Sequence, residues 1–326
     1  MNRILVTGGR GFIGTRLTHE LRSRGHDVWT CDLLAGDDPQ HVRADVTAYE
    51  QLDGLVRRSH FDYVYHLAAE YGRQNGEDHY ANLWRTLAIG TKHLLCLQER
   101  HRYRMVYFSS AEVYGDYDGV MTEDVMERVP IRQMNDYAIA KWAGEQQCLN
   151  SADKFGTEIV RVRPVGCYGP GEPYHPHRGV IPVFVYRALT DRSLTVHQGH
   201  TRVFDYVDDT CRTFANIVDG FKPGEVYNVA GPQEWAIGTA PLAELVVELT
   251  GASPGLLEYQ QQEAFTTRIK IVDSSKAERD LGHAPTVDLR DGLVRYIAWM
   301  RRRYRATSAV EGDLFDGTVA NREGQP

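Results

Sequence analysis

Thr7-Gly8-Gly9-Arg10-Gly11-Phe12-Ile13-Gly14 is the stretch on which the fold of this chain turns. Gly8, Gly11 and Gly14 stand three apart, behind an apolar run (Ile4 to Thr7) that reads as a strand. Ahead of them Ile13, Leu17 and Leu21 recur on one face of a helix. Glycines at such a junction let the backbone turn tightly. They also let a pyrophosphate approach the helix N-terminus, where unpaired N–H groups and the dipole favour negative charge. A glycine triplet alone is an ordinary strand-to-helix turn, so the context decides. Gly25 closes the helix, Asp27 to Cys31 reads as a second strand, and Asp32 stands at its end. A carboxylate there accepts hydrogen bonds from both adenosine ribose hydroxyls and meets a 2′-phosphate with like charge, which favours NAD over NADP. Asp45, in a third strand segment (His41 to Val46), falls near where the adenine amino group would lie, although an Asp there serves equally as a helix N-cap.

Outward from this turn, short apolar strands alternate with amphipathic helices, the pattern of a parallel sheet covered on both faces. Tyr63 to Ala69, Arg104 to Ser109 and Glu158 to Val165 read as further strands, with helices over Leu83 to Arg100 and Tyr137 to Phe155. After Pro170 the texture changes. Gly171 to Gly179 reads as a loop, followed by a helix (Val183 to Leu189), a strand (Leu194 to His197) and a helix capped by Asp208 or Asp209. Helices over Leu242 to Leu249 and through Leu289, Leu293, Ile297 and Met300 follow. The fold class expected is α/β: a Rossmann-like doubly wound parallel sheet with a smaller mixed α/β substrate-binding domain. Residues 1–170 with 203–231 form the expected NAD-binding domain and 171–202 with 232–302 the smaller substrate-binding domain. Residues 303–326, polar and without periodicity, read as a flexible tail.

Bulk properties exclude several classes. A formal net charge of −7 with no basic run argues against a nucleic-acid partner. Five scattered cysteines with no CxxC fit reduced thiols better than a disulfide framework or a zinc site. No apolar run approaches a membrane span, and the chain enters a strand at once with little room for a leader, so a cytoplasmic protein is expected. His175 and His177, flanking Pro176 in a loop, lack the carboxylate cluster of a metal site and read as loop residues. Trp84, Trp142 and Trp299 lie on predicted helices and read as packing residues.

Tyr137-Ala138-Ile139-Ala140-Lys141 places a tyrosine and a lysine four apart, on one face of one helix. A tyrosine of ordinary pKa near 10 is a poor base at neutral pH; an adjacent ammonium and a positive nicotinamide ring would stabilise its phenolate. Upstream, Tyr107-Phe108-Ser109-Ser110-Ala111-Glu112-Val113-Tyr114-Gly115 ends a strand with hydroxyls at its carboxyl edge, where doubly wound sheets bind ligands.

TGGRGFIG, HLAA (His66 to Ala69), SSAEVYG, YAIAK and RPVGCYGPG, in this order, resemble the extended short-chain dehydrogenase/reductase family, whose members are nucleotide-sugar epimerases, 4,6-dehydratases and decarboxylases. The likeness runs to about residue 300. Arg202-Val203-Phe204-Asp205-Tyr206-Val207-Asp208-Asp209 resembles the family's arginine-led diphosphate segment, and Arg268 falls where a second diphosphate or ribose contact is usual. The resemblance implies NAD held by Gly8, Gly11, Phe12, Ile13, Gly14, Asp32, Asp45, Val46, Leu67, Ala68, Ala69, Tyr137, Lys141 and Pro164. It implies catalysis by Ser110, Glu112, Tyr137 and Lys141, and a nucleotide-diphosphate sugar held by Ser110, Arg202 and Arg268. It also implies a homodimer paired through the helices around Leu83 to Arg100 and Tyr137 to Phe155.

Three departures stand out. Ala111 replaces the aspartate with which the family's dehydratases protonate the departing C6 hydroxyl, Leu87 replaces an asparagine of the cofactor pocket, and Gly166 replaces an asparagine near the substrate phosphate. The reaction implied begins by oxidation at C4, with Tyr137 and Ser110 taking the hydroxyl proton. The 4-ketone then acidifies C5–H. Ala111 favours epimerisation; Glu112 supports the alternative of a dehydratase or uronic-acid decarboxylase. A catalytically silent NAD-dependent sensor would have no need of Ser110, Tyr137 and Lys141.

Overall fold

Ile4, Leu5 and Val6 of β1 (Arg3–Thr7) are all fully buried, as a strand must be when its sheet is covered on both sides. The computed structural model describes residues 1–263 and 265–308. Seven strands form one sheet in the order Val226–Val229, β6 (Ile159–Pro164), β5 (Arg104–Phe108), β4 (Tyr63–His66), β1, β2 (Asp27–Asp32) and β3 (His41–Arg43). Every pairing is parallel. The strand order reverses between β1 and β4, and at such a switch point the carboxyl ends of the strands open a crevice.

Alternation along each strand splits the packing into two layers. Ile4, Val6, Val28, Val106 and Val160 meet Leu17 and Leu21 of α1 (Phe12–Ser23) and Phe214 of the Val207–Asn216 helix. Leu5, Cys31, Val64 and Met105 meet Leu52 and Leu55 of α2 (Tyr49–Ser59), Leu94 and Leu95 of the Thr91–His101 helix, and Cys148 of the Asp136–Phe155 helix. Burying each such side chain contributes about 1.5–3 kcal/mol. A further core joins Phe184, Leu242, Val246, Leu293, Ile297 and Met300. Beside it Thr201–Arg202 lies between Ile237–Gly238, antiparallel, and Ile269–Lys270, parallel.

The expected elements are present with shifted ends. β3 stops at Arg43 and β4 at His66, because the chain there leaves the sheet for the crevice. The helix expected over Leu83 to Arg100 is broken by a π-helical turn at Arg85–Gly90. Neither Asp208 nor Asp209 caps its helix; Tyr206 holds that position, while Asp209 accepts hydrogen bonds from Thr286 and Val287. Asp45 does not cap α2 either, since Ala48 precedes that helix and Asp45 accepts from the Thr47 amide. Residues 303–308, expected in the tail, belong to the last helix, Leu289–Ser308, and the remainder of that expectation, 309–326, lies outside the described residues. No helix among the described residues is long and apolar enough to cross a membrane.

Candidate active site

The glycine turn is shaped for a close approach to its amides. Gly8 sits at φ +69°, and a Cβ there would lie 2.8 Å from the Ala68 amide; a Cβ on Gly14 would lie 2.1 Å from the Gly8 carbonyl. Gly11 precedes α1 in extended conformation with no side-chain cap, leaving the first helical N–H groups for an anion. Asp32 accepts hydrogen bonds from the Arg10 amide at 3.0 Å and the Leu34 amide at 3.2 Å, which fixes its carboxylate at the strand end. Ala68 donates to Thr7 Oγ1, and His66, buried between Thr7 and Thr91, has its pKa pushed down to about 3 by burial, so it braces the crevice as a neutral ring. Phe12, Ile13 and Leu67 pack on the sheet core beside this turn, and Val46 is buried against Gly90. A cradle that excludes any Cβ, uncapped helix amides and a strand-end carboxylate together fit a dinucleotide.

The Asp136–Phe155 helix is seated by Gly144, where a Cβ would lie 2.0 Å from the Tyr107 hydroxyl. Asn135 caps it by accepting from the Ala138 amide, so Tyr137 starts the first turn. One turn on, Lys141 Nζ donates to the Phe108 carbonyl at 2.7 Å and lies 5.9 Å from the Tyr137 ring centroid. Burial lowers the Lys141 pKa to about 7 against the pull of Glu145. Burial also pushes Tyr137 up to about 12, with the Ser110 hydrogen bond opposing and Glu112 adding to the rise. The expected lowering of Tyr137 is thus outweighed by desolvation, and a cationic ring beside it would act in the opposite direction. Ser110 caps the short turn Ala111–Tyr114 by accepting from the Glu112 amide.

Ser110, Glu112, Tyr137, Pro164 and Arg202 line one cavity of about 1010 Å³. Glu112 is partly buried and ion-paired with Lys270, a residue to which no motif pointed. Burial alone would raise the Glu112 pKa, but Lys270 and Arg73 hold it below the usual carboxylate range. Lys270 itself is lowered to about 8 by burial, with Glu112 opposing. Arg202 anchors its guanidinium on the Thr201 and Arg268 carbonyls.

Arg268 lies off this cavity. Its side chain is half exposed, paired with Asp118 at 2.5 Å, and it borders a separate, smaller hollow rather than the cavity of Tyr137. The strand pairing of Ile269–Lys270 with Thr201–Arg202 puts Lys270 on the cavity wall instead.

Leu87 packs with Leu83 and Ala140 beside Tyr137 and Ala69, making the pocket there apolar. Gly166, at φ +56°, leaves no room for a side chain, since a Cβ would lie 2.4 Å from the Val203 carbonyl. His177 lines the cavity and contacts Asn75 at 3.4 Å, while His175 stands edge-on to Tyr71. Among the described residues, no cluster of three metal-ligating side chains occurs. Trp84, Trp142 and Trp299 are all partly buried against apolar clusters.

Arg73 and Arg178 also face this cavity and left no trace in the motifs. Asn135 could have been found, because an Asn ahead of Tyr137 is a helix-start signal.

A family model described as "NAD dependent epimerase/dehydratase family" matches residues 4–230. The chain is 31% identical to a dTDP-glucose 4,6-dehydratase of Streptomyces niveus, covering 92% of this chain and 93% of that one. It is 28% identical to a UDP-N-acetyl-alpha-D-glucosaminuronate decarboxylase of Bacillus cytotoxicus, over 92% and 98%. A solved dTDP-glucose 4,6-dehydratase of Streptomyces venezuelae, with NAD and TYD bound, superimposes with a TM-score of 0.84 at 26% identity, over 93% and 98%.

Proposed function

The chain belongs to the NAD-dependent epimerase/dehydratase family of nucleotide-sugar enzymes, and we propose that it takes a nucleotide-diphosphate hexose through a 4-ketone and then removes the C5 hydrogen, ending in loss of water. The observation that carries this reading is Glu112: a carboxylate kept ionised in the same cavity as Ser110 and Tyr137. An ionised carboxylate can take a proton from carbon, and a ketone at C4 makes C5–H acidic enough to give it up.

NAD, when bound, would supply hydride transfer in both directions, so that the reaction would be redox-neutral overall. Gly8, Gly11, Gly14 and Asp32 would hold its pyrophosphate and ribose, with Tyr137 and Lys141 beside its nicotinamide. Tyr137 takes the C4 hydroxyl proton, aided by Ser110, and Lys141 supports the phenolate. In the same reading the sheet half (1–170 with 203–231) carries the cofactor, and 171–202 with 232–302 carry the nucleotide sugar.

Charge pairing in the cavity favours a neutral sugar over a uronate. Arg73 is paired with Glu263, Arg178 with Glu172 and Lys270 with Glu112. Among the described residues, Arg202 is the guanidinium on this wall without an acidic partner, and the substrate diphosphate would occupy it. A uronic-acid carboxylate would find no unpaired cation, which weakens decarboxylation. Simple 4-epimerisation remains the second reading, favoured by Ala111.

The test is incubation with a panel of nucleotide hexoses in deuterated water, followed by NMR of the products. A 4-keto-6-deoxy product carrying solvent deuterium at C5 is expected, and Tyr137→Phe should abolish it. A hexose inverted at C4 with no solvent deuterium, and unaffected by Glu112→Gln beyond a few fold, would overturn C5 chemistry in favour of 4-epimerisation.

A further inference from the structure

Ala111 leaves the cavity without the acid that a departing C6 hydroxyl needs, yet the adjacent Glu112 shares a hydrogen bond with a buried ammonium. We propose that Lys270 is the general acid that protonates the C6 hydroxyl, acting as one unit with Glu112 as the base at C5. This rests on the 4-ketone reading given above.

The geometry supplies three supports. Lys270 and Glu112 both line the cavity that holds Ser110 and Tyr137, with only 10% and 18% of their side chains exposed. Their direct hydrogen bond holds a proton donor and a proton acceptor side by side, close enough to serve two neighbouring carbons. Lys270 is also the register partner of Arg202 in the small sheet, so a second cation stands beside it. Burial and that cation bring its pKa down to about 8, where an ammonium releases a proton readily near neutral pH. The other acids on the cavity wall are engaged elsewhere: Glu77 accepts from the Asp136 amide and Glu263 pairs with Arg73.

The step balances within these groups. The C5 proton passes to the Glu112 carboxylate, and the C5–H electron pair becomes the C5–C6 π bond. The C6–O bond breaks, and its oxygen leaves as water with the Lys270 proton. The proton on Glu112 can then cross the existing hydrogen bond to recharge the amine.

The test separates the two groups. Wild type, Lys270→Gln and Glu112→Gln are incubated with NAD and the thymidine- and uridine-diphosphate forms of glucose in deuterated water, reading both C5 deuteration and water loss. Gln at 270 still donates a hydrogen bond to Glu112 but carries no proton to give. Lys270→Gln should lose water formation by two orders of magnitude or more, within the range of about 10²–10⁴ for a missing general acid, while C5 exchange persists. Glu112→Gln should lose both. With 6-deoxy-6-fluoro analogues, whose fluoride needs no protonation, Lys270→Gln should eliminate at close to the wild-type rate. Lys270→Arg, whose guanidinium stays protonated, should behave as Lys270→Gln and serves if that variant fails to fold. Water loss surviving in both Lys270 variants within a few fold would overturn the assignment. So would exchange and fluoride loss falling together with water loss, which would make Lys270 a positioning residue for Glu112. Wild-type enzyme that exchanges no C5 hydrogen would instead overturn the underlying 4-ketone and C5 reading.

Discussion

Glu145 is the most consequential side chain outside the cavity, and replacing it by glutamine should cost the protein about 3–5 kcal/mol of stability. It is fully buried on the helix that carries Tyr137 and Lys141. Arg163 donates to it twice at 2.8 Å, Arg161 donates at 3.3 Å, and the Ser109 hydroxyl donates as well. Glutamine keeps the size but leaves two guanidiniums in the interior without their counter-charge, and an uncompensated buried charge is what makes such losses large. Urea unfolding followed by circular dichroism, without NAD, measures the effect. The sign with pH follows from the carboxyl being held below its usual range, chiefly by Arg163 against the cost of burial. A lowered folded pKa means stabilisation that is in place above the ordinary glutamate value and lost as pH falls through the folded one. Wild type should therefore lose stability in acid, where the variant has none of this contribution left to lose. Replacing both partners, Glu145→Leu with Arg163→Met, should recover at least half of the loss, because the desolvation cost leaves with the charges. A single variant within about 1 kcal/mol of wild type would refute the reasoning.

Three further outcomes are open to measurement. Arg202→Ala should weaken nucleotide-sugar binding well over tenfold in calorimetry with NAD affinity unchanged, since a charge-assisted bond is worth about 1.5–3 kcal/mol; Arg268→Ala should change it by less than about threefold, because that side chain faces Asp118. Asp32→Ala should lower NAD affinity and narrow the preference over NADP; tighter wild-type binding of NADP than of NAD would refute the role of Asp32. A homodimer is proposed through the helices around Leu83 to Arg100 and Tyr137 to Phe155, where Ile89, in the π-helical turn, and Ile139 are exposed. Ile139→Asp should give monomers in light scattering, and a monomeric wild type at micromolar concentration would overturn the pairing.

The sheet and its cofactor turn were legible because their determinants are local. Three glycines, a strand-end Asp32 and runs such as Ile4–Leu5–Val6 each announce themselves within a few residues, and the helical spacing puts Tyr137 and Lys141 on one face wherever the helix lies. What could not be read depends on contacts between distant segments. Asp209 looks like a helix cap, but its oxygens serve the backbone at Thr286 and Val287, a partner that no local pattern reveals. The cation near residue 270 makes the same point more sharply. Arg268 and Lys270 sit two apart in a stretch of little periodicity, and family likeness selected the arginine. The two-residue strand Ile269–Lys270, pairing with Thr201–Arg202, turns the lysine to Glu112 and leaves the arginine to Asp118. That choice also alters the chemistry inferred. Ala111 removes an acid from the chain's linear order and so favoured epimerisation, whereas the proposed acid, Lys270, reaches Glu112 from 158 positions away. Under that proposal, the reaction of this chain depends on the side chain that the small sheet brings to Glu112 as well as on the motif around Ser110.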